Sequence, residues 1–290
     1  MNDAQRRVWA RLPAGSREAL EAMPATDLQT LLLSLAQSRA ARVTPADVLR
    51  RWREDRFVRP STSDPRGLAA VEARLWGQLP APFAPVDLSP VVPLGTCTAV
   101  APVSQNRIVT AMRSVEVLSD SANALAVEAA DRRLRQPPDG EVHLATCHRL
   151  LRAQVFGPGM SAHFRLFTLV SSARDTGSGQ TQARLLALHL GYWQRVLAEL
   201  APRFRVTVFN EAVRSVLPTS VSLVDAPDRE RYRAYYTDVT WRTVVGDGGG
   251  ESEIGDGGLT TWTAQLMGNA KERCLVSCLS TERLAALLSA

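Results

Sequence analysis

The chain is 290 residues long, 45% hydrophobic and 22% charged, with a formal net charge of +5. That length holds one large core, or one core with a small appendage, and the balance excludes disordered and fibrous classes. The positive charge is nearly all arginine, Lys271 being the one lysine among 34 basic residues; the excess permits a phosphate-bearing partner without demanding one.

The opening stretch MNDAQRRVWARLPAG lacks the apolar segment of a signal peptide. No run approaches the roughly 18 apolar residues of a membrane span, so a cytoplasmic protein with no membrane contact is expected. Cys274 and Cys278 stand four apart with no matching Cys/His pair nearby, and Cys97 and Cys147 are isolated. Reduced thiols are expected rather than a zinc site.

Residues 1–60 read as a small helical unit. In SREALEAM, Ser16 and Glu21 loosely bracket a first turn. TDLQTLLLSLAQSRAARV places Leu28, Leu31, Leu32 and Leu35 on one face, as a core-facing helix requires. TPADVLRRWREDRF offers Thr44 as N-cap and Pro45 at the first helical position. Its arginines 50, 51, 53 and 56 read as a solvated face. The turn-rich RPSTSDPRG closes the unit.

From Gly67 the texture changes. A helix, LAAVEARLWGQL, leads into a proline-punctuated extended segment and then the β-rich runs NRIVTAMRSVEVLSD, EVHLATCHRLLRAQVF and HFRLFTLVSSA. TQARLLALHLGYWQRVLAEL is a helix; RFRVTVFN, SVSLVD, YRAYYTDVTWRTVV and RCLVSCL are strands; STERLAALLSA is a closing helix. Most consecutive strands are joined by turns, which predicts an α+β fold: a mainly antiparallel sheet flanked by helices over residues 61–290. VGDGGGESEIGDGG is no phosphate loop, because no lysine follows it and no helix opens from it.

RAQVFGPGMSAHFRLF raises the functional question. Arg152-x-Gln154 ends one strand, a Gly-Pro-Gly turn follows, and a returning strand carries His163 and Phe167. A guanidinium and a ring on one hairpin suit a nucleoside triphosphate: one pairs with phosphate or carboxylate, the other stacks on a base.

With three further segments this hairpin resembles the catalytic core of class II aminoacyl-tRNA synthetases. Leu151 to Gln154, the loop, and His163 to Phe167 match the second motif. Glu282-Arg283 in CLSTERLAALL match the end of the third, and VEARLWGQLPAPFAPVDLSP, with Pro90, loosely matches the first. RYRAYYTDVTW and IGDGGLTTW resemble segments of histidyl-tRNA synthetase and of the regulatory subunit of ATP phosphoribosyltransferase. The resemblance runs from about Gly67 to the C-terminus.

It implies ATP and Mg2+ as cofactors. Arg152 would bridge the α-phosphate and an amino-acid carboxylate. Gln154, His163, Phe167, Glu282 and Arg283 would surround the nucleotide. Arg231 would neutralise charge on the α-phosphate. Glu128 would bind an amino group, Tyr235, Tyr236, Gly257 and Gly258 would line the amino-acid site, and Glu253 and Asp256 would hold magnesium. A homodimer is implied, built on the helix LAAVEARLWGQL.

The departures set the functional expectation. Gln154 replaces a glutamate. Val276, Cys278 and Ser280 replace glycines against which nucleotide would lie. Leu169 and Ala173 fall where histidine-reading polar groups are expected, which argues against histidine as the ligand. The chain ends seven residues after Arg283, where a full synthetase carries an anticodon-binding domain. The expectation is a synthetase-like paralogue that does not charge tRNA and binds a nucleotide, an amino-acid-type molecule or a partner protein. The alternative is a stand-alone ligase that adenylates an amino acid or related carboxylate and passes it to an acceptor other than tRNA.

Overall fold

The computed structural model describes residues 2–157, 160–246 and 250–289, and the chain divides into two compact units. The first comprises residues 1–59 with 110–115. It holds helices α1 (Asp3–Trp9), α2 (Ser16–Glu21), α3 (Ala25–Ala40) and α4 (Pro45–Glu54). Thr44 caps α4 by accepting from the Asp47 N–H, while Asp47 reaches back to the Thr44 N–H, and Pro45 opens the helix as its fixed φ favours. Ser16 starts α2 without capping it; Gly15, in the left-handed region, takes that position.

The leucines of α3 do not meet the core expected of them. No residue of α1 to α4 is buried, and Leu35 is 54% exposed. The helical period shows which residues share a face, not whether anything covers that face.

The second unit, residues 60–109 with 116–290, carries the sheet. Its elements run α5 (Pro65–Gly77), β1 (Phe83–Pro85), β2 (Val91–Pro93), α6 (Thr96–Val100), β4 (Val115–Val117, following the first unit's two-residue strand β3, Thr110–Ala111) and α7 (Ser121–Leu134). Then come β5 (Glu141–Leu151), β6 (His163–Arg174), α8 (Gln180–Val196), β7 (Arg203–Val208), α9 (Glu211–Arg214) and β8 (Leu223–Asp225). β9 (Val239–Val245), β10 (Ser252–Thr260), α10 (Trp262–Met267), β11 (Glu272–Ser280) and α11 (Thr281–Leu288) complete it.

Among the described residues eight strands form one sheet in the order β1-β5-β6-β11-β10-β9-β7-β8. Five of its seven pairings are antiparallel; the edge pairs β1/β5 and β7/β8 are parallel. The α+β expectation, a mainly antiparallel sheet flanked by helices, therefore holds.

Strand alternation gives the sheet two unlike faces. Ala145, Phe167, Leu169, Ala173, Leu275 and Leu279 pack with α8 and with Val71 and Leu75 of α5. Val142, Leu144, Val170, Cys274 and Val276 pack under α7 with Leu125, Ala126 and Ala129. The sequence reading passed over α7, whose signals are Asp120 before an alanine-rich run and the N-cap bond Asp120 makes to the Ala122 N–H. Leu68, Val71 and Leu75 of α5 are buried within this chain, so its apolar stripe serves the core rather than an exposed dimer face.

Candidate functional site

A cavity of about 700 Å3 lies at the N-terminal end of α7, on the α7 face of the sheet. Its walls come from the segment just past β5, from β6, β10 and β11, and from residues 229–236. Antiparallel pairing of β6, β11 and β10 brings residues distant in sequence side by side here: Cys278 pairs with both Thr168 and Asp256.

At one wall Asp120 meets Arg152. The Asp120 carboxylate accepts from the Ala122 N–H at 3.0 Å and from the Tyr235 hydroxyl at 3.3 Å, and the Arg152 guanidinium lies 3.6 Å away. Arg152 is aimed by its Nε, which donates to the Ser119 carbonyl at 2.8 Å, and by the Phe164 ring 5.1 Å beneath it. Burial raises the Asp120 pKa, Arg152 opposes the shift, and Asp256 adds to it.

The floor is a second acid–base pair. Arg229, buried and stacked 4.4 Å over Tyr232, donates to Asp256 Oδ2 at 2.9 Å and to the Trp241 carbonyl at 3.1 Å. The Tyr236 hydroxyl reaches the same Oδ2 at 3.3 Å, and the Cys278 thiol approaches Oδ1 at 3.4 Å. Burial, then the charges of Asp256 and Asp120, push the Cys278 pKa well above its usual range, so the thiol stays a protonated, weak donor.

Of the expected residues, Arg152, Gln154, His163, Arg231, Tyr235, Tyr236, Glu253, Asp256, Glu282 and Arg283 line this cavity. Their settings differ. Arg231 and Arg283 are exposed at the rim; Arg231 bonds the Tyr232 hydroxyl at 3.2 Å and Arg283 the Glu253 carbonyl at 2.6 Å. Glu282 accepts the Arg165 N–H at 2.9 Å with both oxygens, which ties α11 to β6. His163 accepts from the Arg149 guanidinium at its Nδ1 across 2.9 Å. The Pro158 and Gly159 of the expected hairpin turn lie outside the described residues.

Four assignments are corrected. Phe167 is fully buried on the opposite face, 4.6 Å from the Trp76 ring and 6.0 Å from Tyr192, so no base can stack on it. Leu169 and Ala173 share that face, so they say nothing about the ligand. β6 turns Phe164 and Leu166 to the cavity; the motif register was one residue out, and one residue reverses every side chain of a strand. Glu128 lies on α7 paired with Arg132 at 2.7 Å and does not line the cavity; the carboxylate that does, from the same helix start, is Asp120.

Gly257 and Gly258 are packing residues rather than ligand contacts. A Cβ on Gly257 would strike the Trp241 ring, and one on Gly258 would meet the Tyr236 ring at 2.6 Å. Nor do Glu253 and Asp256 form a metal site. Asp256 is engaged by Arg229, Tyr236 and Cys278, and the Glu253 carboxylate is 3.5 Å from Arg242. Among the described residues no group of three or more His, Cys, Asp or Glu side chains is placed to hold a metal ion.

The sequence reading also missed Arg229, which stands two residues before Arg231. The signal was the acid–base alternation DRER ahead of the tyrosines, with no way to tell which arginine turns inward. Val276, Cys278 and Ser280, flagged as replacements for glycine, do line the cavity.

The sheet order, the helix pair on its two faces and the cavity between α7 and the strands give this chain a fold like that of the class II aminoacyl-tRNA synthetase core. No protein-family model matches the sequence, and no curated protein matches it. The fold matches apo histidyl-tRNA synthetase of S. aureus with a TM-score of 0.58 at 14% identity, over 77% of this chain and 65% of that one. It matches an ATP phosphoribosyltransferase regulatory subunit/histidyl-tRNA synthetase from Bacillus halodurans C at 0.56 and 11%, over 79% and 82%. Pyrrolysyl-tRNA synthetase from Desulfitobacterium hafniense matches at 0.53 and 13%, over 91% and 80%. Among the described residues no helix is long and apolar enough to cross a membrane.

Proposed function

We propose that this chain is a synthetase-like paralogue that binds an amino-acid-type ligand in the cavity and does not charge tRNA. The observation that carries the reading is Asp120, Arg152 and Tyr235 side by side on one cavity wall. A carboxylate and an ammonium on one carbon match an arginine and an aspartate about one hydrogen-bond length apart: the guanidinium takes the ligand's carboxylate in two bonds, and Asp120 takes its ammonium. Tyr235 holds the carboxylate in place.

Strand β11, which leads into Glu282-Arg283 at the start of α11, supports the second half of the proposal. Val276 and Cys278 put side chains where bare backbone would admit a nucleotide, and Phe167 is unable to stack on a base. Two further parts of the proposal are a partner protein or second copy, suggested by the likeness to the B. halodurans regulatory subunit/histidyl-tRNA synthetase, and a cytoplasmic location for four free thiols. Residues 1–60 and 61–290 are proposed as separate domains, which limited proteolysis near residue 60 would reveal.

Calorimetric titration of the full chain with single amino acids tests the reading. Binding of at least one amino acid, lost in Arg152→Ala and weakened about tenfold or more in Asp120→Asn, is the expected result. Uniform silence across all twenty would overturn it.

The second reading is the ligase, favoured by Arg152, Arg231 and Arg283 lining one cavity. In that reaction a ligand carboxylate oxygen attacks the α-phosphorus of ATP and pyrophosphate leaves, and positioned cations carry the developing charge. The cavity arginines fit the phosphates, but among the described residues there is no cluster of three or more acidic, His or Cys side chains for magnesium, so no step is assigned to the metal. ATP–pyrophosphate exchange dependent on an amino acid and abolished by Arg152→Ala would replace the binding proposal with this one.

A further inference from the structure

We infer that the cavity selects amino-acid-type ligands whose side chain ends in a nitrogen donor, and that Asp256 is the residue that selects. The inference rests on the amino-acid reading above and concerns the far end of the same ligand.

The two oxygens of the Asp256 carboxylate are unequally occupied. Asp256 Oδ2 accepts from Arg229 at 2.9 Å and from Tyr236 at 3.3 Å, which exhausts its in-plane positions. Oδ1 has the Cys278 thiol at 3.4 Å, a weak donor at long range. A carboxylate oxygen with so poor a partner, on a residue that lines the cavity, is an acceptor held ready for a better donor.

The surroundings keep that acceptor in place. Arg229 is fixed by the Trp241 carbonyl and by Tyr232, so Asp256 cannot swing out without leaving a buried guanidinium unpaired. Gly258 leaves room for the Tyr236 ring beneath it. Arg229 already neutralises the charge, so the group recognised is the N–H itself, whether amide or ammonium. An apolar side chain of equal length would cover Oδ1 and satisfy nothing. Serine and threonine hydroxyls are shorter donors, and the α-amino and α-carboxyl groups are already assigned to Asp120 and Arg152.

The test is titration of the full chain with lysine, arginine and glutamine against norleucine, leucine and methionine, with glycine for the shared amino-acid core. At least one nitrogen-bearing ligand is expected to bind about tenfold or more tighter than its apolar counterpart. Asp256→Ala should erase that difference. Because Asp256→Ala also strips Arg229 of its partner, Cys278→Ser carries the test where the first variant fails to fold: a hydroxyl is a stronger donor to Oδ1, and it should weaken the nitrogen-bearing ligands several-fold while sparing the apolar ones. If none of lysine, arginine and glutamine binds tighter than norleucine, leucine and methionine, with glycine still bound, the role of Asp256 is overturned and the amino-acid reading is left intact. Failure of every ligand, glycine included, overturns both.

Discussion

Two polar networks on opposite faces of the central sheet differ in how fully they are satisfied. On the α8 face a chain of bonds runs from the Trp193 indole N–H to Ser277 at 2.9 Å, to His189 at 2.8 Å, to Ser171 at 2.8 Å, to His143 at 2.8 Å, and to Glu141 at 3.1 Å. With both histidines neutral, one proton order satisfies every link: Ser277 O–H to His189 Nδ1, His189 Nε2–H to Ser171, Ser171 O–H to His143 Nδ1, and His143 Nε2–H to the carboxylate. On the α7 face Asp120 and Asp256 are only partly satisfied by protein. A closed network fixes a helix on a sheet; an open one is built to be completed from outside.

The largest test of that contrast is Phe167→Ala. This ring is fully buried among Trp76, Tyr192 and Trp193, so truncation should cost about 3–5 kcal/mol in a urea titration while leaving the affinity of the cavity unchanged. An affinity loss without destabilisation would put the ring back in the site. Comparable in size is Glu272→Gln. Glu272 pairs with Arg133 through two bonds at 2.9 and 3.2 Å, both side chains being 1% exposed, and Ser172 adds a third bond. Removing one charge of such a pair costs about 3–5 kcal/mol, so this variant marks the closed part of the α7 face, below the cavity.

How much of this was legible depends on the kind of signal. Helix starts marked by local chemistry, such as Thr44-Pro45, were legible, because a cap is a contact between neighbours. The motifs at Arg152 and Arg283 were legible as segments, and both arginines line one cavity. Which side of a strand faces the ligand was not. HFRLF offers Phe164 and Phe167 in one run, and only the pairing of β6 with β5 and β11 decides between them. The inward arginine of DRERYR is a similar case: Arg229 and Arg231 differ by two residues in a 3-10 turn and its approach, and burial against Trp241 chooses the first. The α3 leucines failed for another reason, since periodicity carries no information about a covering partner.

The pH dependence of stability sharpens the comparison at smaller scale. Burial lowers the pKa of both His189 and His143 below the usual 6.5, so the folded chain prefers them neutral. The unfolded chain takes up these protons first as pH falls. Stability from this face is therefore complete above about pH 6.5 and declines below it. The urea midpoint should fall between pH 7.5 and 5.5, and the double variant His143→Asn, His189→Asn should remove most of that slope. An unchanged slope would mean that carboxylates elsewhere set the acid limit.

Phe164→Ala is the smallest and most discriminating change. The ring is half-buried at the cavity wall, 6.0 Å from Phe156, and its face supports the Arg152 guanidinium. A cation–π contact at a partly exposed site contributes about 0.5–1 kcal/mol, so stability should move by no more than that. The guanidinium would still be held by the Ser119 carbonyl at its Nε, yet the plane it presents to a ligand carboxylate would no longer be fixed, and affinity should drop by about two- to fivefold. Phe164 and Phe167 are three residues apart on one strand and of identical chemistry, so any difference between their alanine variants reports the face each occupies. Loss of affinity at 164 and loss of stability at 167 is the pattern the β6 register requires.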